Sequence, residues 1–373
     1  VSSERIKILH VVISLNPGGM ENGVVNVARE LPADRYEVHV CCLERTGPFA
    51  ARLPQPENVH VLHKPPGFSL RAVWKLNRLI ARLRPHVIHT HNLGPLIYGN
   101  LATFGGRTRP ILHGEHNTLA ADELTPRRLR QRATLYRGCR RIHAVAEGVR
   151  AQLVGLNLSP EKIMTLLNGV DTEKFCPTDR RNARKKIGVA ADALVLGIVG
   201  RFAPAKSHAL LLAAFEQLTA EFPQAHLLIV GTGGSEEAKV RALAAASPAT
   251  AKLHFAGFQN EMLPYYQALD ALIVPSVLEG LSNAVLEAMA CGVPVIAQPT
   301  CGNPEAITSG VDGVLAPVAN AAELAALLRA WLAQPTRLAV LGLAAREKML
   351  AKFRLADMAA RYRQTYEELL PAH

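Results

Sequence analysis

Runs of Val, Ile and Leu recur along the chain, separated by stretches in which apolar residues return every three or four positions. In the first half the runs are IKILHVVI, YEVHVCCL, VHVL, HVIHT, PILH, IHAVA and IMTLL; in the second they are ALVLGIVG, AHLLIVG, KLHFAG, ALIVP and VPVIA. Such nearly unbroken runs predict parallel strands covered on both faces, with helices between most of them. RAVWKLNRLIARLR shows helical spacing plainly: Val73, Leu76, Ile80 and Leu83 share one face, while Arg71, Lys75, Arg78 and Arg82 fall largely on another. Between the halves, DTEKFCPTDRRNARKKIGVAADA is polar, charged and without apolar periodicity, which predicts a linker near residues 171–192. Strand–helix alternation on both sides of a linker predicts an α/β chain of two doubly wound, Rossmann-like domains facing each other across a cleft. The expected division is residues 1–175, residues 176–352, and a closing amphipathic helix over 353–373 that packs back on the first domain.

Composition narrows the class. At 373 residues, 49% hydrophobic and 20% charged, the chain is too long for one ordinary core and has a soluble globular balance. No apolar run reaches membrane-spanning length, and VSSERIKILHVV enters a strand pattern without a signal-peptide layout, so a cytoplasmic protein is expected. Cys41, Cys42, Cys139, Cys176, Cys291 and Cys301 form no CxxC pair or zinc spacing and read as free thiols in a reduced compartment. The net charge is +11. Thr125 to Arg141, TPRRLRQRATLYRGCRR, holds seven arginines and no acid. In a helix, Arg127, Arg130, Arg137 and Arg141 are too many unpaired guanidiniums to bury. They form either a solvated face or one that docks on an anionic membrane surface. Aromatics make 5% and no recognition module is legible, so nucleic acid is not an expected partner.

In doubly wound sheets ligands bind outside the carboxyl ends of the strands, and most chemically suggestive clusters here follow a strand. After the first comes SLNPGGMENG, where Gly18 and Gly19 permit a tight turn and the helix opening near Met20 presents amides to an anion. The glycines do not fall as GxGxxG, and GTGGSEE at Gly231 has Glu236 in the last glycine's place, so no dinucleotide fingerprint is present. HTHN (His89 to Asn92) and HGEHN (His113 to Asn117) follow the fourth and fifth strands. Histidines there can position a substrate hydroxyl or steady developing charge, and packing accounts for them equally well.

In the second half, GRFAPAKSHALLLAAF sets Arg201 on a loop and Lys206 where a helix begins, a guanidinium fork and a point charge suited to a diphosphate. EGLSNAVLEAMACGVPVIA places Glu279 at a glycine-marked turn and Glu287 inside the next helix, which Ser282 or Asn283 can cap. The amides of Gly280, Leu281, Ser282, Asn283 and Ala284 at that helix start suit a phosphate; two solvated helix-end glutamates are the plainer alternative. The eight aspartates never fall two apart, so no DxD exists and no metal site is expected. The positive charge must come from Arg201, Lys206 and helix ends.

Taken together, GRFAPAKSHALLLAAF, HLLIVGTGG, HFAGF, PSVLEGLSNAVLEAMACGVPVIA and GVDGVLAP occur in the order seen in the family-4 retaining glycosyltransferases of GT-B fold. NPGGMENG, HTHN, HGEH and NGVDTEKF resemble the amino-terminal signatures of the same family, and the likeness covers nearly the whole chain. GGMENGVVN is most similar to sugar transferases of bacterial exopolysaccharide and cell-surface assembly. The resemblance implies that Arg201 and Lys206 bind the donor diphosphate with help from the Gly18–Gly19 amides. It implies that Glu287 holds the ribose hydroxyls, and that Glu279 with the amides of Leu281 to Ala284 holds donor sugar and phosphate. It also sets His113 beside the anomeric carbon and Gly257 and Phe258 along the base. Ser207 departs from the glycine that often follows the lysine in the family.

The implied reaction moves a sugar, with retention and without metal chemistry, from a nucleotide diphosphate sugar to a hydroxyl acceptor. The donor is expected to be a UDP-sugar, with a GDP-sugar as the alternative, and no cofactor beyond this substrate is expected. A lipid-linked saccharide is the expected acceptor, with the enzyme peripheral on the inner face of the plasma membrane. The rival readings are a sugar-nucleotide epimerase on the same twin-domain plan and an inactive GT-B scaffold.

Overall fold

In the computed structural model, residues 5–300 and 302–370 are described, and Cys301 lies outside the described residues. The chain divides into two compact units, Val1–Asn168 with Leu355–His373, and Gly169–Arg354.

Among the described residues the first unit holds seven parallel strands: β1 (Ile6–Val12), β2 (Tyr36–Cys42), β3 (Val59–Val61), β4 (Val87–His91), β5 (Ile111–Glu115), β6 (Arg141–Ala144) and β7 (Ile163–Thr165). Their order is β3-β2-β1-β4-β5-β6-β7, so the sheet reverses direction beside β1. Side chains alternate across a strand, and the two faces bury different partners. Ile8, Val87 and Leu112 pack with Val27 of α1 (Gly19–Glu30), with Leu31 just past its end, and with Leu355, Met358 and Tyr362 of the closing helix Leu355–Glu368. Leu9, Val11 and Ile88 pack on the opposite face against Leu76, Leu79 and Ile80 of α2 (Leu70–Leu83) and Tyr98 of α3 (Leu93–Ala102). Helix α2 starts where the Ser69 hydroxyl accepts from the Ala72 amide and ends at Arg84 in a left-handed conformation, before Pro85. The buried stripe of α2 is centred on Ala72, Leu76, Leu79 and Ile80, with Val73 and Leu83 at its margin.

The arginine-rich segment forms α4 (Pro126–Arg137). Arg127, Arg130, Arg137 and Arg141 are exposed. Arg132 is not. Its guanidinium is buried, pairing with Glu115 at the end of β5 and with Glu123 at 2.6 Å, while the Tyr136 hydroxyl donates to Glu115 at 2.6 Å. Arg132 and Tyr136 stand four apart and therefore on one face of the helix. Burial works against the Glu115 carboxylate, yet His113, Arg132 and Tyr136 together hold its pKa down to about 2.

The second unit has β8 (Leu194–Val199), β9 (Ala225–Val230), β10 (Leu253–Gly257), β11 (Ala271–Val274), β12 (Val295–Ala297) and β13 (Val314–Leu315), all parallel, in the order β10-β9-β8-β11-β12-β13. β13 was absent from the sequence-based expectation; two residues carry too little pattern, and its pairing of Val314 with Ile296 defines it. The linker expected near residues 171–192 is instead part of this unit. It contains a helix, Arg180–Lys186, whose Arg184 is buried and meets Asp270 at 2.6 Å and the Ala268 carbonyl at 3.1 Å. Arg346 bonds the carbonyls of Thr172 and Phe175. Arg184 and the carbonyls of Thr172 and Phe175 tie the segment to distant residues, while Arg181, Lys185 and Lys186 are exposed.

Removing the Arg132 charge while keeping its bulk leaves Glu115 buried without its cation. Arg132→Met is expected to cost about 3–5 kcal/mol of stability, seen as a lowered urea midpoint, whereas Arg130→Met on the exposed face should stay within about 0.5 kcal/mol. Equal midpoints for the two variants would contradict this account of the network.

Candidate functional site

The reversal of strand order in the second unit falls between β8 and β11, the position at which doubly wound sheets bind their ligands. The β8 loop begins at Gly200. A Cβ on Gly231, at the end of β9, would collide with the Gly200 carbonyl, and Gly231 has φ +139°, so both the close approach and the backbone angle require glycine there. The Phe202 amide donates to the Gly233 carbonyl at 2.7 Å, and the Glu236 amide to the Phe202 carbonyl at 2.9 Å. GTGG is therefore the brace under the Arg201 loop, a role that its failure as a nucleotide fingerprint had hidden. Arg201 is exposed, and its guanidinium forms no ion pair or hydrogen bond with a described residue.

Lys206 ends a short turn, Pro204–Lys206, and Ser207 follows with φ 57° and ψ 38° before the helix His208–Glu216 begins. A serine occupies a left-handed position that glycine takes without steric cost, which accounts physically for the family's common residue there. The Lys206 ammonium is bonded to the Glu279 carboxylate, and the Val277 amide donates to the Ala205 carbonyl at 2.9 Å. The loops after β8 and β11 are thus joined by one backbone bond and one ion pair.

After Glu279, the chain enters the helix Asn283–Ala290 with Ser282 at the cap position, extended and without a side-chain cap bond. Val285, Leu286, Met289 and Ala290 are buried, as their spacing predicts. Glu287, one turn in, hydrogen-bonds with Tyr266; burial and that carboxylate push the Tyr266 hydroxyl well above its ordinary pKa. Tyr266 was not singled out from sequence, because nothing local links it to a residue 21 positions later. Gly280 and Leu281 are buried, and Ala284 is half-buried. A Cβ on Gly302 would press on the backbone of Gly280 and Leu281 at 2.6–2.8 Å. Gly257, at φ 67°, accepts from the Gly231 amide at 2.9 Å, and Phe258 beside it is half-buried. The second unit therefore brings Arg201, Lys206, Gly257, Glu279 and the Gly280–Ala284 turn onto one set of mutually bonded loops at the carboxyl ends of β8 to β11.

In the first unit, Gly18 caps α1 in an extended conformation, φ −172° and ψ 163°, so any residue could adopt its backbone. The Glu21 carboxylate folds back over the turn, into the space a Cβ on Gly18 would enter. The helix start at Gly18 and Gly19 thus already has a protein carboxylate beside it.

The strand-end histidines are core groups. His113 is fully buried, with Nδ1 at 2.9 Å from Thr90 Oγ1 and Nε2 at 3.0 Å from Glu115 Oε1. Both ring nitrogens are taken up inside the first unit, which does not fit the expected place beside a reacting carbon. His116, the second histidine of HGEHN, follows the end of β5; its Nε2 lies 2.9 Å from His91 Nδ1. His91 continues to His10 at 2.9 Å, and His89 bonds His143 and the Tyr366 hydroxyl, each at 2.9 Å. Burial pushes all five rings of this network to low pKa: His10 to about 3, His116 to about 4, and His89, His91 and His143 well below the usual 6.5.

Residues 179–348 match the family model described as Glycosyl transferases group 1, and residues 17–174 match Glycosyltransferase Family 4. A D-inositol 3-phosphate glycosyltransferase 1 of Catenulispora acidiphila is 31% identical over 332 residues, covering 84% of this chain and 74% of that protein. A D-inositol 3-phosphate glycosyltransferase of Geodermatophilus obscurus is 38% identical over 185 residues, 47% of this chain and 41% of the relative. The best-matching stretches thus span about half the length of the first relatives, 41% to 54%. In fold, the chain is similar to Anabaena HepE, solved in complex with UDP and glucose, with TM-score 0.87 at 23% identity over 98% of this chain and 100% of HepE. It is also similar to the sucrose-phosphate synthase of Thermosynechococcus elongatus, with TM-score 0.83 at 22% identity over 98% and 99% of the two chains.

The imidazole network fixes a pH dependence. Each folded pKa lies below the unfolded value of 6.5, so protonation favours the unfolded chain; the stability is fully present above about pH 7 and is lost as pH falls from 6.5 toward 4 and below. The five rings all act in the same direction, so their losses reinforce one another as pH falls. Melting temperature should therefore fall steeply between pH 6.5 and 5. The fall should be shallower in His10→Phe, provided that variant folds at pH 7.5. A flat profile over this range would refute the neutral network.

Proposed function

This chain belongs to the family-4 glycosyltransferases, and from that premise we propose that it moves a sugar, with retention, from a nucleotide diphosphate sugar to a hydroxyl acceptor. The observation that carries the reading is the second unit's set of loops, where exposed Arg201 and the Lys206–Glu279 pair lie with a helix N-terminus at a topological switch point. In the reaction, the bond between the anomeric carbon and the diphosphate oxygen breaks with its electrons leaving on phosphate. The acceptor oxygen bonds to the same face of that carbon, and the departing phosphate takes the acceptor proton. The leaving group bears most of the developing charge, so the main task is to stabilise it. Arg201 supplies a bidentate fork, Lys206 a point charge, and the Gly280–Ala284 turn its amides.

The Lys206–Glu279 pair holds the ammonium in place before substrate arrives. On binding, Lys206 turns to the diphosphate and Glu279 is released to accept from donor sugar hydroxyls. Glu287, set by Tyr266, accepts from the ribose hydroxyls. Gly257 and Phe258 border the base. Uracil is the favoured base, with support from the UDP carried by the HepE structure. For the acceptor we favour a lipid-linked saccharide in polysaccharide or glycolipid assembly, reached at the inner face of a membrane. The names of the sequence relatives favour a second acceptor, D-inositol 3-phosphate, which belongs in the same assay.

Lys206→Ala and Arg201→Ala are each expected to lower turnover more than about a hundredfold, the scale of removing a main charge stabiliser, with the circular dichroism unchanged. Wild-type turnover in both folded variants would overturn the diphosphate assignment. Sugar transfer should also persist in excess chelator, since the chain has cations in place of a DxD. An absolute need for manganese or magnesium in single-turnover transfer would contradict that.

A further inference from the structure

From Asn58 to Gly114 the chain contains eight Lys and Arg residues and no Asp or Glu. This stretch includes α2, whose buried stripe faces the sheet and whose opposite face is open to water. On that open face stand Leu70, 74% exposed, and Trp74, 55% exposed, one helical turn apart, and Phe68, 60% exposed, just before them. Three large apolar side chains exposed together are unlike the scattered single ones of an ordinary surface. Phe68 is held in place, its ring 5.8 Å from that of Tyr98, while the Tyr98 hydroxyl accepts from the Ser69 amide at 3.0 Å. Around these residues Arg71, Arg78, Arg82 and Arg84 are all exposed, and none forms an ion pair with a described residue. The Arg78 guanidinium lies over the Trp74 ring at 4.8 Å, so cation and aromatic form one amphipathic unit.

We propose that this face of the first unit docks on an anionic lipid bilayer, with Phe68, Leu70 and Trp74 entering the headgroup–acyl boundary and the arginines of α2 meeting lipid phosphates. Two features of the surface select that occupant. The charge is of one sign across 57 consecutive residues, which complements an anionic leaflet. The apolar residues include a tryptophan and a phenylalanine at the rim of a basic helix, the residue types that settle at a lipid–water interface. Helix α4, the other basic element, offers exposed arginines without exposed large apolar residues on the helix itself, and contributes long-range attraction only. The proposal gives the lipid-linked acceptor a surface to be met on, and rests on that reading for its purpose alone. Vesicle binding without transfer to any lipid-linked acceptor would leave the docking face standing and remove the acceptor; transfer without vesicle binding would do the reverse.

The chain has two tryptophans, Trp74 and Trp331, so Trp331→Phe isolates the reporter. Vesicles of phosphatidylcholine mixed with phosphatidylglycerol should shift Trp74 emission to the blue and let brominated lipid quench it; phosphatidylcholine alone should not. Phe68→Ser/Leu70→Ser/Trp74→Ser is expected to lower vesicle partition about tenfold or more. Arg71→Gln/Arg78→Gln/Arg82→Gln should do the same and flatten the salt dependence, and it serves as the surface-only variant if the apolar one misfolds. Arg127→Gln/Arg130→Gln/Arg137→Gln/Arg141→Gln should stay within about threefold of wild type. The proposal is overturned if Trp74 emission ignores anionic vesicles at low salt, or if the α4 variant loses binding while the α2 variants keep it. It is overturned equally if Trp74 responds to protein concentration without lipid, which would make a second copy the occupant.

Discussion

Each sheet reverses its strand order next to its first strand, and the chemistry of both units is arranged by that reversal. Parallel strands need crossover helices, and a right-handed crossover leaves each successive loop on a face set by the direction of winding. Where winding changes direction, the loops leaving two adjacent strands lead to helices on opposite faces, and ligands bind between them. In the second unit this occurs between β8 and β11, which places the Arg201–Lys206 loop beside the Glu279–Ala284 loop although more than 70 residues separate Lys206 from Glu279. In the first unit it occurs between β1 and β4, which places the Gly18–Gly19 turn and the HTHN strand end on adjacent strands.

Two opposite electrostatic solutions coexist in the first unit. Glu115 stays ionised in the interior because Arg132 and Tyr136 both converge on it from one helix face. His10, His89, His91 and His143 nearby are held neutral by burial, each bonded to another ring or a hydroxyl and none to a carboxylate. His116 feels Glu115, but burial outweighs it. Basic residues in excess of these needs are left on the surface, where the open faces of α2 and α4 account for much of the chain's positive character.

Strands were legible where short Val-, Ile- and Leu-rich runs stood between polar or turn residues, since a covered parallel strand is apolar on both faces. β13, two residues long, offered no such run. The family motifs of the second half were legible because they sit within one loop each, and Arg201, Lys206 and Glu279 fall on the loops after β8 and β11. Three things were not legible. The polarity of residues 171–192 read as exposure, because the Arg184–Asp270 pairing spans 86 residues. The two histidines of HGEHN are equivalent on paper; only the end of β5 at Glu115 separates a ring inside the sheet from one past its edge. GTGG read as a failed fingerprint, because its function is to let Gly231 touch the Gly200 backbone, a contact no local pattern encodes.

The closing helix belongs to the first unit, where Leu355, Met358, Tyr362 and Tyr366 fill the face of the sheet that includes Ile8 and Val87. That gives the chain an order of assembly opposite to its order of synthesis. The second unit is contiguous and has everything it needs once residue 354 has been made. The first unit, although translated earlier, has that sheet face covered only by α1 and its flank, and His89 without its Tyr366 partner, until residues 355–370 emerge. During that interval the uncovered part of the face is apolar surface open to chaperones and to aggregation.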